Sequence, residues 1–423
     1  MNVVLPKELA YSPSLPALPE CLSQDIVLAP VNGGGPFGPS QLIQFDLVAR
    51  GFIDPSSLYI RYKCALTQAT ANDVSTIRGT PVYSFFNKLE TIFGSSIVES
   101  INNYNQVCNM MTNLQMDVAM KYGSQANLGY GNGLTIPNLE GLDGRTCATV
   151  DVFSLSAPLP CILSSAEKLI PAGLMPNIRI QLTTEAISAM FTTTQPPSNY
   201  SLTNVELCYT MIDFHGEVND LVRGMGDQFY IKSQSFKNMG ASLASGGTGA
   251  TDLIYNMRLA SIKSLFANFS GQTTTKCLNG VFDSVDPTSG SGDMVFNIAG
   301  TNYPTRSVST LNNKSAFLME LKKAVGALHS DNYNTSINTV EFLAVDATVT
   351  SATAPGKFYF GVNCEKLSTN GALLTGVSTQ SSPISLRLST SSAPTQSYSV
   401  NLIAMYDALI VVQPELRQAS VRE

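Results

Sequence analysis

The feature that most restricts how this chain can fold is an alternation of apolar and polar side chains with a period of two, found in both halves. Leu58, Ile60, Tyr62, Cys64 and Leu66 alternate with Tyr59, Arg61, Lys63 and Ala65. The pattern returns in Ile178 to Leu182, Val205 to Tyr209, Phe358 to Val362, Ile384 to Leu388 and Tyr398 to Leu402. Successive side chains of a strand point to opposite faces, so each run sets one apolar row inward and one polar row outward. Half-buried strands of this kind build sandwiches or barrels, not parallel α/β sheets, whose strands are apolar on both faces.

Two stretches depart from this with a period near 3.6. Tyr104, Val107, Cys108, Met111, Leu114 and Val118 follow Asn102 and Asn103, either of which can cap a helix. Phe317, Leu321, Ala324, Val325 and Leu328 follow Asn312 and Asn313, with Lys322 and Lys323 near the end that the helix dipole favours for cations. One helix thus falls in each half, which predicts a duplicated plan of strands, an inserted helix, then more strands. No sequence repeat accompanies it, so the duplication is read from the pattern. The join is expected between Val218 and Gly226, where Arg223-Gly224-Met225-Gly226 follows a strand. The expected division is an arm, 1–22, a first sandwich, 23–222, a second, 223–413, and a tail, 414–423. Gly-, Ser-, Thr- and Asn-rich stretches at 123–144, 240–251 and 283–293 are expected to be long connectors.

Composition narrows function. Charged residues make up 13% of the 423, where ~25% is usual, so much of the polar surface is neutral. Neutral polar surface is buried against a partner at less desolvation cost than charged surface, which points to extensive subunit contacts. Net charge is −6, no run of Lys or Arg occurs, and Lys7 is the lone cation before Arg50. Wrapping nucleic acid needs clustered cations, so direct binding of it is not expected. The eight cysteines are scattered without a CxxC pair, which predicts reduced, core-filling thiols and neither a disulfide frame nor a zinc site. No secretory signal and no apolar run of about 18 residues is seen, so sequons at Asn199, Asn268, Asn313 and Asn334 are expected to stay unmodified.

Candidate chemistry is sparse. Gly33-x-Gly35-x-x-Gly38 matches a dinucleotide fingerprint in form, but Pro36 and Pro39 lead toward a strand where a phosphate-binding helix should begin, so a tight surface loop is expected. The two histidines, His215 and His329, stand apart, and no nucleophile elbow, H-E-x-x-H or phosphate loop occurs. Asp283, Asp286 and Asp293 lack the order of a calcium loop and are read as a solvated loop. Met110, Met111, Met116 and Met120 are read as gap-fillers between a helix and a sandwich. No catalytic, cofactor-binding or metal residues are assigned, and the chain is not expected to be an enzyme.

Several short segments, in order, carry a family resemblance. They are Phe86 to Glu90 with Gly94 to Glu99, Lys168 to Pro171 before the strand Asn177 to Leu182, Ser261 to Phe266, Tyr303-Pro304 ahead of the second helix, and Gly376 to Ser381. In this order and with these strand and helix readings between them, the chain from about Phe86 to Val412 resembles the double jelly-roll major capsid proteins of tailless double-stranded DNA viruses. It is most similar to those of virophages, Polinton-like viruses and adintoviruses. The resemblance implies an all-β fold of two tandem eight-stranded jelly rolls, each with an inserted helix. It implies a virion capsid protein, assembled in the infected cell, whose homotrimers form pseudo-hexagonal capsomers of an icosahedral shell. The implied partners are neighbouring capsomers and minor capsid and penton proteins, with room for an underlying membrane. Against this stand a minor capsid or vertex protein, which would usually be a single sandwich forming pentamers, and a carbohydrate-binding sandwich, which the absence of Trp disfavours.

Overall fold

The computed structural model describes residues 20–423 apart from 68–73, 78, 130–141, 147–149, 191–197, 215–216, 225, 272–281, 283, 312–313, 329–334, 344–355 and 367–373. The alternating segments become strands. The first half contains β1 (Cys21–Leu28), β2 (Leu42–Asp46), β3 (Phe52–Ile53), β4 (Tyr59–Thr67), β5 (Val74–Ile77), β6 (Phe86–Phe93), β7 (Ser96–Ile101), β8 (Leu142–Thr146), β9 (Val150–Pro158), β10 (Ile178–Thr184) and β11 (Asn199–Phe214). The second contains β12 (Phe229–Leu243), β13 (Gly249–Tyr255), β14 (Ile262–Gly271), β15 (Gly292–Ile298), β16 (Thr301–Ser309), β17 (Tyr359–Asn363), β18 (Ile384–Thr390), β19 (Tyr398–Gln413) and β20 (Gln418–Arg422).

Pairing order shows the duplication that sequence pattern only suggested. In the first half one sheet runs β1-β11-β4-β9, with β3 also on β11, and a second runs β2-β10-β6-β7. In the second half the sheets run β12-β19-β14-β17, with β20 also on β19, and β13-β18-β15-β16. Setting aside β3, β5, β8 and β20, both halves have the same order, first-eighth-third-sixth in one sheet and second-seventh-fourth-fifth in the other. Every ladder within these sheets is antiparallel. This is two tandem jelly rolls. The remaining strands β5 and β8 pair with each other outside both sandwiches.

Alternation sets which face is buried. In β4 the side chains of Ile60, Tyr62, Cys64 and Leu66 are buried while Tyr59, Arg61 and Lys63 point to solvent. The buried rows of β10 (Ile178, Ile180, Leu182) and β18 (Ile384, Leu386, Leu388) close onto the opposite sheets. Aromatic rings fill the widest parts of each core: Tyr62 meets Phe86 edge-on at 5.5 Å, and Phe296 stacks on Phe360 at 4.9 Å with Phe317 and Phe358 beside them.

The helices form where expected but end and start differently. The first is Tyr104–Gln115 and stops short of Val118, because Asp117 accepts the Met120 N–H at 2.7 Å and opens a separate helix, Val118–Gly123. Asn103 sits at its N-cap in the left-handed conformation, φ 44°, without a side-chain capping bond. The second helix is Ser315–Ala324. Its N-cap is Lys314, also left-handed at φ 52°, and not Asn312 or Asn313, which lie outside the described residues. Lys314 is held there by tertiary contacts: its ammonium is buried 2.9 Å from the Asp286 carboxylate and 4.7 Å from the centre of the Phe358 ring.

Other boundaries also move. Much of 240–251, expected as a connector, is strand: Gly240 lies opposite Asn401 in β12, and β13 begins at Gly249 opposite Thr390. Small polar residues are acceptable there because the partner strands supply the hydrogen bonds. Residues 418–422, expected in a tail, pair as β20 with Leu409 to Gln413 of β19. At the expected join, the helix Glu217–Arg223 precedes β12.

Candidate assembly surfaces

The residues weighed for chemistry are dispersed. Gly33 to Gly38 form a turn-rich loop leading to β2 with no helix after it, as expected of a surface loop. His215 and His329 lie outside the described residues, as does Asp283. Asp286, expected in a solvated loop, is fully buried: beside the Lys314 pair it accepts from the Thr288 N–H and hydroxyl and the Gly290 N–H. Asp293 stands apart from it in β15 on a sheet face. Met110 and Met111 are buried and Met116 is half-buried against the core, but Met120 is exposed and fills nothing. Of the described cysteines Cys64, Cys108, Cys161, Cys208 and Cys364 are buried thiols, while Cys21 is exposed on β1. Asn268 is buried in β14 and Asn199 is exposed at the start of β11; the other two sequon asparagines lie outside the described residues.

What the structure does assemble is a polar seam joining the two sandwiches. Its centre is Glu99 of β7, which is buried. One carboxylate oxygen accepts the Thr91 hydroxyl at 2.7 Å; the other accepts the Ile162 N–H at 2.8 Å and the hydroxyl of Ser235 on β12. Burial raises the Glu99 carboxyl to about 6, with the three hydrogen bonds pulling the other way. Around it Ser233 donates to the Ile162 carbonyl at 2.5 Å, the Glu167 N–H donates to the Lys232 carbonyl at 2.9 Å, and Asn238 donates to the Asn102 carbonyl. From the first helix Gln106 accepts from Asn401 of β19 at 2.8 Å, and Asn113 reaches Tyr359 of β17 at 3.4 Å.

This seam makes corresponding parts of the two sandwiches unequal. The strands β11 and β19 have the same length and the same place in their sheets. Yet β11 has partly exposed positions along its whole length, with Leu207 to Tyr209 its one run of three buried residues, whereas in β19 every residue from Val400 to Val412 is buried except the half-buried Met405. In the second sandwich both faces of the β12-β19-β14-β17 sheet are covered: on its outer face Asn238, Asn401 and Tyr359 meet the first helix and the turn before it and Ser264 donates to the Ala324 carbonyl of the second helix, while Ser233 and Ser235, of the opposite parity, meet Ile162 and Glu99. The same outer face of the first sandwich is open. It carries a shallow trough of about 510 Å³ lined by Asp25, Val27, Tyr59, Cys208 and Thr210, among others. Its edge strand β1 has no buried residue, with Leu22 and Val27 about half exposed.

The helices show the reverse inequality. In Tyr104–Gln115 every residue through Leu114 is buried, because the second sandwich lies against it. In Ser315–Ala324 only Phe317, Leu321 and Ala324 are buried, and Met319 faces solvent. One chain therefore has an uncovered sheet face at one end and an uncovered helix face at the other, and inside it an interface where such faces meet. Sequence reading placed neither the seam nor Glu99 within it. The signal present was the nearly unbroken apolar run of β19, which alternation does not explain.

No protein-family model and no curated protein matches the sequence. Solved structures do match over nearly the whole length. PBCV-1 VP54, as fitted into a reconstruction of the virophage Sputnik, aligns with a TM-score of 0.64 at 9% identity, over 98% of this chain and 99% of that one. The Faustovirus major capsid protein aligns at 0.59 and 8% identity, over 96% and 92%. The mavirus major capsid protein aligns at 0.55 and 10% identity, over 100% and 95%. The chain has the double jelly-roll fold of these viral major capsid proteins.

Proposed function

We propose that this chain is the major capsid protein of an icosahedral double-stranded DNA virus, a structural subunit that acts by geometry and interface energy and not by catalysis. The observation that carries this reading is the inequality of the two sandwiches: a sheet face covered inside the chain in the second sandwich is open in the first, and a helix buried in the first is half open in the second. A contact between unlike surfaces propagates head to tail, and it closes into a ring when the rotation per step divides the circle. Taking 23–222 and 223–413 as two neighbouring positions of such a ring, three chains supply six positions, so the proposed capsomer is a homotrimer with a pseudo-hexagonal outline.

Low charge suits this role, since neutral polar faces lose less on burial. In the shell the trimers meet neighbouring capsomers and minor capsid and penton proteins, and the genome is managed by other components, because the sequence has no run of Lys or Arg for it. The test is light scattering on a sizing column, with negative-stain microscopy of the expressed chain. A trimer with a six-lobed outline is expected. A pentamer would assign the chain to a vertex, and a stable monomer at micromolar concentration would overturn the reading.

A further inference from the structure

We infer that the outer face of the β13-β18-β15-β16 sheet joins one capsomer to the next by meeting the same face of a second copy across a twofold axis along the strands, with Asp252 of each copy against Arg306 of the other. This rests on the capsomer reading above and adds which surface links the trimers. Alternation turns Asp252 and Ile254 of β13, Arg387 of β18 and Asp293 of β15 away from the core. Register sets Asp252 directly opposite Arg387, and Arg387 directly opposite Val295. Beyond Val295 the edge strand bulges: between the pairs Met294 with Val308 and Phe296 with Tyr303, one residue of β15 faces the stretch Pro304 to Ser307 of β16. The bulge brings Arg306 to a trough of about 800 Å³ that spans the face.

Two arginines and two aspartates share this trough, yet none of the four has a hydrogen bond or ion pair among the described residues. Elsewhere such neighbours bond: Arg61 with Glu206 at 2.5 Å and Arg179 with Asp46 at 2.7 Å, each pair directly opposite in register. The equivalent face of the first sandwich is satisfied within itself. Gln181 and Arg387 are each the fourth residue of β10 and β18, and they lie opposite Gln44 and Asp252. Gln181 bonds to Gln44 at 3.0 Å, beside the pair of Arg179 with Asp46. In the second sandwich the place of Asp46 is taken by Ile254, 67% exposed. Free charges around an exposed apolar side chain mark a surface kept for a partner.

The order of the charges selects that partner. Across the face run Asp252, Arg387, Val295 and Arg306, so a partner of one sign would meet both signs and gain little. A second copy turned about an axis along the strands, midway between β18 and β15, sets β13 on β16 and β18 on β15. Asp252 then meets Arg306 at both ends of the contact. Arg387 meets Val295, with Asp293 two residues along, about 7 Å away. Copies related by such an axis keep the same end up, as neighbours in a closed shell do.

The experiment uses the full chain, with light scattering and sedimentation as trimers are concentrated at low salt. Parent trimers are expected to associate further, and less so as salt rises. Asp252→Arg alone or Arg306→Asp alone sets like charges together at both ends of the contact. Each should raise the concentration at which trimers associate by about tenfold or more, with the trimers themselves and their thermal unfolding unchanged. Both changes in one chain, or an equal mixture of the two single variants, should restore association, since every arginine again meets an aspartate. Parent trimers that stay apart, or single variants that associate like the parent, would overturn this contact and leave the capsomer reading intact. Loss without recovery in the double variant or in the mixture would overturn the twofold pairing of Asp252 with Arg306. A parent chain that is itself monomeric would overturn both.

Discussion

Glu99 offers a quantitative test of the seam between the sandwiches. Its carboxyl moves from an ordinary 4.5 to about 6 because burial disfavours the charged form more than Ser235, Thr91 and the Ile162 N–H favour it. The folded chain therefore holds a proton on Glu99 between those values while the unfolded chain has released it. Stability from this group is fully present below 4.5 and is lost as pH rises through about 6. That displacement corresponds to about 2 kcal/mol. With an unfolding entropy of ~2.1 cal/mol/K per residue, 2 kcal/mol lowers Tm by ~2 °C if the chain melts as one unit, and by about twice that if a single sandwich does. Glu99→Gln isolates the effect. The amide oxygen still accepts from Ile162 and Ser235, and the Thr91 hydroxyl can turn to accept from the amide NH₂. Thermal melts of parent and variant from pH 4.5 to 7.5 should show the parent losing ~2 °C more than the variant as pH rises. Glu99→Ala, which leaves three buried donors without an acceptor and opens a void, should cost about 3 kcal/mol or more at any pH in that range. Parallel pH profiles for parent and Glu99→Gln would refute the account of a buried, titrating carboxylate at the seam.

Two other predictions concern the cores. Asp286→Ala leaves the Lys314 ammonium buried without its carboxylate and should destabilise by about 3–5 kcal/mol in denaturant titrations; Asp286→Leu combined with Lys314→Met should cost less than Asp286→Ala alone, and a larger cost for the pair would contradict an ion-pair role. Burial pushes the thiols of Cys161 and Cys364 up to about 12 and that of Cys108 higher still, so maleimide at pH 7.5 should label Cys21 and spare these three, as read by peptide mass spectrometry; labelling of Cys108 at the Cys21 rate would show that the first core opens readily.

How much of this was written locally can be traced residue by residue. The alternation through Ile60, Tyr62, Cys64 and Leu66 was enough to set strand type and buried face, because the period of a strand is a property of neighbours two apart. The two helices were legible for the same reason, from apolar residues three and four apart. Their ends were less so. Asn103 looks like a capping residue but makes no capping bond, and Lys314 looks unsuited to a left-handed cap yet occupies one, because Asp286 and Phe358 hold its side chain from other parts of the chain. Likewise Asp286, polar in a Ser- and Gly-rich stretch, reads as solvated until its partner Lys314 is brought to it.

The sequence by itself determined that the chain is mostly β, that its two longest helices are inserted one in each half, and that it lacks the charge and histidine content of familiar nucleic-acid binders and enzymes. Tertiary structure alone decided the pairing order of the strands, the burial of β19 on both faces and the seam at Glu99. Those depend on contacts such as Glu99 with Ser235, 136 residues apart, and Gln106 with Asn401, 295 apart. Local periodicity records how a segment is half-buried; it holds no information on which distant segment covers it, and that is what distinguishes the closed face of one sandwich from the open face of the other.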